Sequence, residues 1–346
     1  MSKSWRIAVL GATGLVGETM IKVLEEREFP VSELYPLASA RSRGKSVEFR
    51  GRRHSVLDVE RFDFSTADLG LFSAGGSVSR IYAPKAAAAG CVVIDNTSEF
   101  RYDADVPLVV PEVNPEAIAQ FRKRHIIANP NCSTIQMVVA LKPIHDAVGI
   151  ERINVATYQS VSGAGRQAVT ELATQSADLL QGKGPVKARV IPKQIAFNCV
   201  PQIDRFMENG YTREEMKMLW ETQKILGDAS IRVNATTVRV PVFFGHSEVV
   251  HIETRRKISA AAARALLEAA PGVEVLDERA PGGYPTAATE AANRDTVYVG
   301  RIREDMSHDR GLDLWIVADN VRKGAATNSV QIAEILVRDL LERDLL

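Results

Sequence analysis

The chain has 346 residues, 45% hydrophobic and 25% charged, an ordinary globular composition that excludes a disordered, collagen-like or disulfide-scaffold protein. Lysine plus arginine number 43 and aspartate plus glutamate 43, so no net basic field exists for nucleic acid or an anionic membrane, and neither partner is expected. The length predicts about two domains, and three scattered cysteines (Cys91, Cys132, Cys199) predict thiols in a reducing compartment.

Lys3 and Arg6 ahead of residues 7–17 imitate a signal-peptide core, but glycines at 11, 14 and 17 interrupt it and no small-residue cleavage site follows before Glu18. The longest apolar stretch, 86–94, is about half of the roughly twenty residues a membrane span needs. A cytoplasmic protein is expected. Residues 6–10 (RIAVL) read as a buried strand, 11–17 as a glycine-rich turn and 18–27 as a helix with Met20, Val23 and Leu24 on its apolar side. That order opens a βαβ unit. Residues 33–38 read as a strand weakened by Pro36, and 69–73 as another, followed by a Gly75-Gly76 turn. An alanine-rich helix at 79–90, a buried strand at 91–96 and short strands at 106–110 and 126–128 follow. The alternation predicts an α/β domain, a doubly wound parallel sheet covered on both faces.

After residue 150 the pattern changes. Residues 152–160, 236–241, 247–255, 296–304 and 312–318 read as strands, several with period two, between helices at 165–181 and 212–226. This predicts an α+β domain on a larger mixed sheet, with surface loops at 181–185 and 280–285. A helical period over 323–345 predicts a C-terminal helix returning to the first domain. The expected division is 1–131, completed by about 320–346, against 132–319.

Gly11-Ala-Thr-Gly-Leu-Val-Gly17 is a variant of the dinucleotide fingerprint, placed between an apolar strand and a helix. Its glycines permit close backbone approach to a pyrophosphate, and the helix start offers N–H groups. The expected cofactor contacts here are Gly11, Thr13, Gly14, Leu15, Val16 and Gly17; a tight turn without ligand is the plain alternative. An NAD site would place an acid about twenty residues further on. Residues 38–45 hold no acid and three cations instead, and Arg41 with Ser42 suits a 2′-phosphate. NADP is therefore expected; a solvated basic loop is the alternative.

Asn129-Pro-Asn-Cys-Ser-Thr134 follows a strand and precedes a helical run at 135–148. Cys132 then sits in a helix's first turn, where the dipole stabilises a thiolate; an inert buried cysteine is the alternative. Cys91 and Cys199 read as structural. A thiolate beside a nicotinamide suggests acyl reduction or aldehyde oxidation through a thioester, which calls for an acid/base group. Among the six histidines, His246, in Phe-Gly-His-Ser-Glu248, stands at a strand-end loop. His251 reads as structural, and His54, His125, His145 and His308 as surface residues. No cysteine pair has zinc-ligand spacing, so no metal is expected.

With these residues in place, GATGLVG at 11–17, PNCSTIQ at 130–136, QSVSGAG at 159–165, RVPV at 239–242, GHSE at 245–248 and DNVRKGAA at 319–326 resemble the aspartate-semialdehyde dehydrogenase family, in the family's order and over nearly the whole chain. The resemblance implies a Rossmann domain joined to a catalytic and dimerisation domain, in a homodimer or homotetramer. It implies NADP-dependent reduction of 4-phospho-L-aspartate to L-aspartate 4-semialdehyde and phosphate, towards lysine (through diaminopimelate), methionine and threonine. Cys132 matches the nucleophile, His246 the acid/base group and Gln159 the residue orienting the acyl intermediate. Arg239 matches the grip on the substrate carboxylate, Glu214 the partner of its ammonium, and Arg101, Lys217 and Asn131 the phosphate contacts. Glu214/Lys217 and Glu221/Lys224 are two E-x-x-K pairs a heptad apart. Either could be an ordinary surface pair; the family's spacing to Arg239, which the resemblance supplies, favours the first. Ser162, Gly163 and Asn320 match contacts to the nicotinamide end of the cofactor, and Ser73 and Gly75 border its pyrophosphate or adenine ribose. Two rivals remain. N-acetyl-gamma-glutamyl-phosphate reductase shares the chemistry, but its acylated substrate has no ammonium for Glu214. A non-catalytic NADP-binding paralogue would have lost the thiol or His246. Glyceraldehyde-phosphate dehydrogenase shares the Cys–His logic without these substrate residues.

Overall fold

The structure, a computed structural model, describes residues 4–42 and 44–341. Lys3, Arg43 of the basic loop and residues 342–345 of the expected last helix lie outside the described residues. The chain divides into two compact units, residues 1–130 with 325–346, and residues 131–324.

The first unit opens with β1 (Trp5–Leu10), a turn, and α1 (Leu15–Glu26), whose apolar positions Met20, Val23 and Leu24 are buried. β2 (Val31–Ala38) pairs parallel with β1, Ile7 opposite Leu34. Pro36 is tolerated there because the Leu37 carbonyl accepts from the Gly11 N–H. Leu37 thus bonds towards β1, and the position before it turns its missing N–H away. The hairpin β3 (Ser46–Phe49) and β4 (Arg52–Ser55) and the two-residue β5 (Leu57–Asp58) follow. Then come β6 (Leu69–Phe72), α2 (Gly76–Ala88), β7 (Val92–Asp95) and β8 (Ile126–Ala128). The sheet runs β5-β2-β1-β6-β7-β8 with every pairing parallel. The strand expected at 106–110 does not form. Pro107 lies within the run and Pro111 follows it, and only Leu108 bridges to Ala128 of β8. The C-terminal segment is a π-helical turn, Arg322–Ala326, and then the helix Thr327–Leu336. Its Val330, Ile332 and Leu336 join one apolar core with Met20, Val23, Leu24 and Ile94.

The second unit begins with α3 (Cys132–Val148), β9 (Ile150–Gln159), α4 (Arg166–Leu180) and α5 (Arg213–Leu226). It continues with β10 (Arg232–Arg239), β11 (His246–Thr254), α6 (Ala260–Glu268), β12 (Val273–Val275), β13 (Val297–Glu304) and β14 (Gly311–Ala318). Its sheet runs β10-β9-β11-β14-β13-β12 and is mixed. β10–β9 and β12–β13 are parallel, and the three central pairings are antiparallel. This register sets the end of β10, carrying Arg239, beside Gln159 at the end of β9. The start of β11, with His246, lies one strand over, where Ser247 pairs with Tyr158. Three of the expected polar residues thus come to one end of three adjacent strands. Among the described residues, no helix is long and apolar enough to cross a membrane.

Candidate active site

In the first unit the β1–α1 turn needs glycine for the close approach of its own backbone. Gly11 has φ +91°, and a Cβ on Gly17 would lie 2.1 Å from the Gly11 carbonyl oxygen. α1 starts at Gly14 with no side-chain cap, so the first-turn N–H groups of Leu15, Val16 and Gly17 keep no side-chain acceptor of their own, which is the condition for an anion to serve as their cap. Thr13 Oγ1 lies 3.2 Å from Ser42 Oγ, which brings the short helical turn Ala40–Ser42 to the glycine loop; Arg41 beside it is exposed. The Ser73 N–H donates to the Leu10 carbonyl at 2.8 Å, setting the Ser73 backbone against Gly11, and Gly75 starts α2 with φ +94°. These residues fit a dinucleotide. Arg101 is buried, its Nε and Nη2 donating to the carbonyls of Asn129 and Asn96 at 2.9 and 3.0 Å, which fixes the guanidinium at the ends of β7 and β8.

In the second unit Asn131 is the N-cap of α3. Its side-chain oxygen accepts from the N–H groups of Ser133 and Thr134 at 3.0 and 3.2 Å. Its Nδ2 donates to Glu214 Oε1 at 2.8 Å, and the Gln159 amide donates to the same oxygen at 3.1 Å. The other Glu214 oxygen takes Lys217 Nζ at 2.8 Å. Burial works against the Glu214 charge, but Lys217 and the two amides outweigh it and hold its pKa down to about 2. Lys217 also reaches Asp204 at 3.0 Å.

Neither E-x-x-K pair is the surface pair that the spacing allowed, for Glu214, Lys217 and Glu221 are all buried. Glu221 accepts the backbone N–H of Asn131 at 2.6 Å. One glutamate thus holds the asparagine side chain and the other, two turns along α5, its backbone. Cys132 follows directly, half-buried, on the first turn of α3.

Arg239 is buried and donates through Nη1 to the Ser160 carbonyl at 2.7 Å; burial lowers its pKa, opposed by the charges of Glu214 and Cys132. His246 is fully buried. Burial first, then the Arg239 charge, pushes its pKa down to about 3, with Glu214 opposing. Ser162 Oγ meets Asn320 Oδ1 at 3.0 Å and Ser160 Oγ at 2.9 Å. Gly163 leaves the space above the pair open, since a Cβ there would lie 2.9 Å from Arg239 Nη1 and 3.3 Å from His246 Nε2.

The second unit therefore gathers Cys132, Asn131, Gln159, Glu214, Lys217, Arg239, His246, Ser162, Gly163 and Asn320. The sequence reading gave no role to three neighbours, Ser160, Gly324 and Glu248, and set a fourth, Glu221, behind Glu214. Ser160 bonds His246, and Glu221 holds Asn131. A Cβ on Gly324 would lie 2.8 Å from the Cβ of Cys132. Glu248, on the His246 face of β11, is fully buried, faces Gln136 and Ser133 without a formed hydrogen bond, and is pushed well above the usual carboxylate range by burial. Ser160 and Gly324 stood inside motifs already singled out, and the period of a strand would have put Glu248 beside His246. Two cysteines differ from one another. Cys91 is buried, with its thiol pushed up to about 12 by burial, whereas Cys199 is exposed and fills no core position.

A glycine-lined loop suited to a nucleotide, and a site that gathers Cys132, His246, Arg239 and Glu214 on a mixed sheet, fit a nicotinamide-dependent oxidoreductase. Comparison with known proteins bears this out. Residues 6–121 match the family model "Semialdehyde dehydrogenase, NAD binding domain", and residues 141–323 match "Semialdehyde dehydrogenase, dimerisation domain". The chain is 65% identical over 339 residues to the aspartate-semialdehyde dehydrogenase of Shewanella violacea, covering 98% of this chain and 99% of that one. The crystal structure of aspartate semialdehyde dehydrogenase II from Vibrio cholerae complexed with ASA superposes with a TM-score of 0.96 at 62% identity, covering 98% of this chain and 100% of that one. The enzyme from Candida albicans, solved with NADP, superposes with a TM-score of 0.75 at 27% identity, covering 97% and 99%. The chain belongs to the aspartate-semialdehyde dehydrogenase family.

Proposed function

We propose that this enzyme reduces 4-phospho-L-aspartate to L-aspartate 4-semialdehyde with NADPH, in the cytoplasm, as a homodimer or homotetramer. The observation that carries the reading is the convergence of Asn131 and Gln159 on Glu214, with Lys217 behind it, at the start of the helix bearing Cys132. A buried carboxylate held ionised at a thiol site suits a substrate ammonium, and Arg239 suits its carboxylate. Such a pair reads an unacylated α-amino acid.

Cys132 Sγ attacks the acyl carbon, and phosphate leaves with the electron pair of its bond to that carbon, giving a thioester. Gln159 orients the acyl oxygen by its amide. NADPH, when bound, supplies the hydride that reduces the thioester. The C–S bond of the resulting hemithioacetal then breaks, its electron pair returns to Sγ, and the aldehyde departs. His246 attends the oxygen on which charge develops. Arg101, Lys217 and Asn131 hold the phosphate. Gly11, Thr13, Gly14, Leu15, Val16 and Gly17 hold the pyrophosphate, with Ser73 and Gly75 at its border and Ser162, Gly163 and Asn320 towards the nicotinamide. Arg41 and Ser42 bind the 2′-phosphate, since Ser42 reaches Thr13 of the glycine loop and no acid replaces them.

The test is the reverse reaction: NADP⁺ reduction, read by ultraviolet absorbance, with L-aspartate 4-semialdehyde, with and without phosphate. Phosphate-dependent NADPH formation, and a clear loss with NAD⁺, is expected. Turnover only with the longer, N-acylated semialdehyde would overturn the substrate assignment.

A further inference from the structure

Two carboxylates share Lys217. Its Nζ lies 2.8 Å from Glu214 Oε2 and 3.0 Å from Asp204 Oδ2. The two acids are held in different ways. Glu214 is buried on α5, and its other oxygen takes the amides of Asn131 and Gln159. Asp204 stands outside any helix or strand, between the backbone bridges of Val200 to Arg239 and of Phe206 to Thr212. Its side chain is 34% exposed, and its Oδ1 accepts the N–H of the next residue, Arg205, at 2.8 Å. Its φ is +66°, in the left-handed region that aspartate enters more readily than most side chains. Partial burial works against its charge, but Lys217 outweighs this and lowers its pKa. At neutral pH Asp204 is an ionised partner of the lysine.

The function proposed above gives Lys217 and Asn131 to the substrate's phosphate. The two meet at Glu214, the Asn131 amide on one oxygen and the ammonium on the other. A phosphate that draws on the same ammonium comes close to both carboxylates, and like charges at such range in a half-buried site repel strongly. One carboxylate has to withdraw. Glu214 cannot, since leaving would strand two amides and a buried charge. Asp204 can. Rotation about its side-chain bonds carries the carboxylate into water, which replaces the lost partner at little cost.

We propose that Asp204 is a stand-in for the substrate's phosphate, holding Lys217 while no phosphate is bound and giving the lysine up when phosphate arrives. The proposal rests on the assignment of Lys217 to the phosphate. No covalent bond changes; one ion pair replaces another at Nζ. The stand-in keeps the ammonium aimed between turnovers. It also opposes retention of the phosphate released at Cys132, because Asp204 regains its partner as that product leaves. Asp204 is thus a positioning residue, acting through Lys217 without touching the reacting atoms.

The test titrates inorganic phosphate calorimetrically into the NADP⁺-loaded enzyme, wild type against Asp204→Asn. Asparagine accepts a positive φ as aspartate does, and thermal melting checks the fold; Asp204→Ser is the second variant if the first does not fold. Loss of the competing charge should tighten phosphate binding by about tenfold. In the reverse reaction the KM for phosphate should fall by the same factor, with the KM for the semialdehyde unchanged. A merely structural aspartate would give no gain, so unchanged or weaker phosphate binding overturns the proposal. Lys217→Met supplies the control. It should weaken phosphate binding and cancel the gain from Asp204→Asn in the double variant. A gain that survives Lys217→Met also overturns the proposal. If Lys217→Met weakens phosphate and Asp204→Asn does nothing, the stand-in falls and the phosphate assignment remains. If neither substitution matters, both fall. The titration uses no semialdehyde, so its result does not depend on which carbon skeleton the enzyme takes.

Discussion

Two helices in this chain each begin a few residues after a strand, and they begin in opposite ways. α1 starts at Gly14 with no side-chain cap. α3 starts at Asn131, whose side chain takes two backbone N–H groups, while Glu221 holds its main chain. The first helix start is left open for an anion from outside. The second is closed by the protein's own groups, and what it presents is a side chain, Cys132. On the proposed reading the same element, with the same partial positive charge, serves as a phosphate cradle or a thiolate mount according to whether a cap is supplied. Two residues decide it, a glycine that provides no acceptor and an asparagine that does.

The largest effect should come from removing what the closed start presents. Cys132→Ala should lower turnover by about 10⁴-fold or more while NADPH binding, followed by fluorescence titration, persists. Loss of both would mean that the open start depends on the closed one. Next, Gly14→Asp puts a cap and a negative charge on α1. Its backbone (φ −86°, ψ 165°) accepts such a cap, although the new Cβ would lie 3.2 Å from the Gly11 carbonyl. Cofactor affinity should fall by about a hundredfold, with alkylation of Cys132 unchanged. Undiminished NADPH binding would show that the open start is not the phosphate site. Asn131→Ala opens the other helix. It should cost about 1 kcal/mol of stability and lower kcat by about ten- to a hundredfold through loss of the Glu214 and Cys132 positions; thermal melting and kinetics read the two separately.

The smallest effect concerns Glu248, under the first turn of α3. Its folded pKa lies above its unfolded value of about 4.3. Above that pH the unfolded chain releases a proton that the folded chain keeps, so this residue's contribution to stability declines as pH rises. Glu248→Gln should remove that decline and raise the melting temperature at pH 8 by about 2–4 °C, with less gain at pH 4. Destabilisation at both pH values would mean that the acid makes a bond an amide cannot replace.

Much of this was legible before any coordinates. The glycine loop and α1 show because glycines and the spacing of Met20, Val23 and Leu24 are strong local signals. β9, β10, β11, β13 and β14 show because period two survives in their sequences. α6 was missed because Ala260–Glu268 is mostly alanine, which packs without leaving an apolar stripe to count. The β3–β4 hairpin is short and mostly polar, so its alternation gives no signal. At the site, Cys132, His246, Gln159, Glu214 and Arg239 come within one unit, as their motifs suggested. Glu221 was undervalued for a physical reason. A glutamate three residues before a lysine looks the same in sequence whether water or an asparagine N–H receives it, and only the packing of α5 decides.

Two kinds of glycine lie in this chain, and they predict different tolerance to mutation. Gly227 ends α5 in a left-handed conformation (φ 66°, ψ 22°), a position asparagine can also occupy, and nothing lies within 4 Å of where its Cβ would be. Gly163 and Gly324 carry no such backbone demand. What they contribute is absence, the volume beside His246 and Arg239 in one case and beside Cys132 in the other. A scan of all substitutions should therefore accept asparagine at 227 and reject even alanine at 163 and 324. At those two positions the space left empty is itself part of the site, and a scan that rejects alanine there would outline the site even with every polar side chain hidden from view.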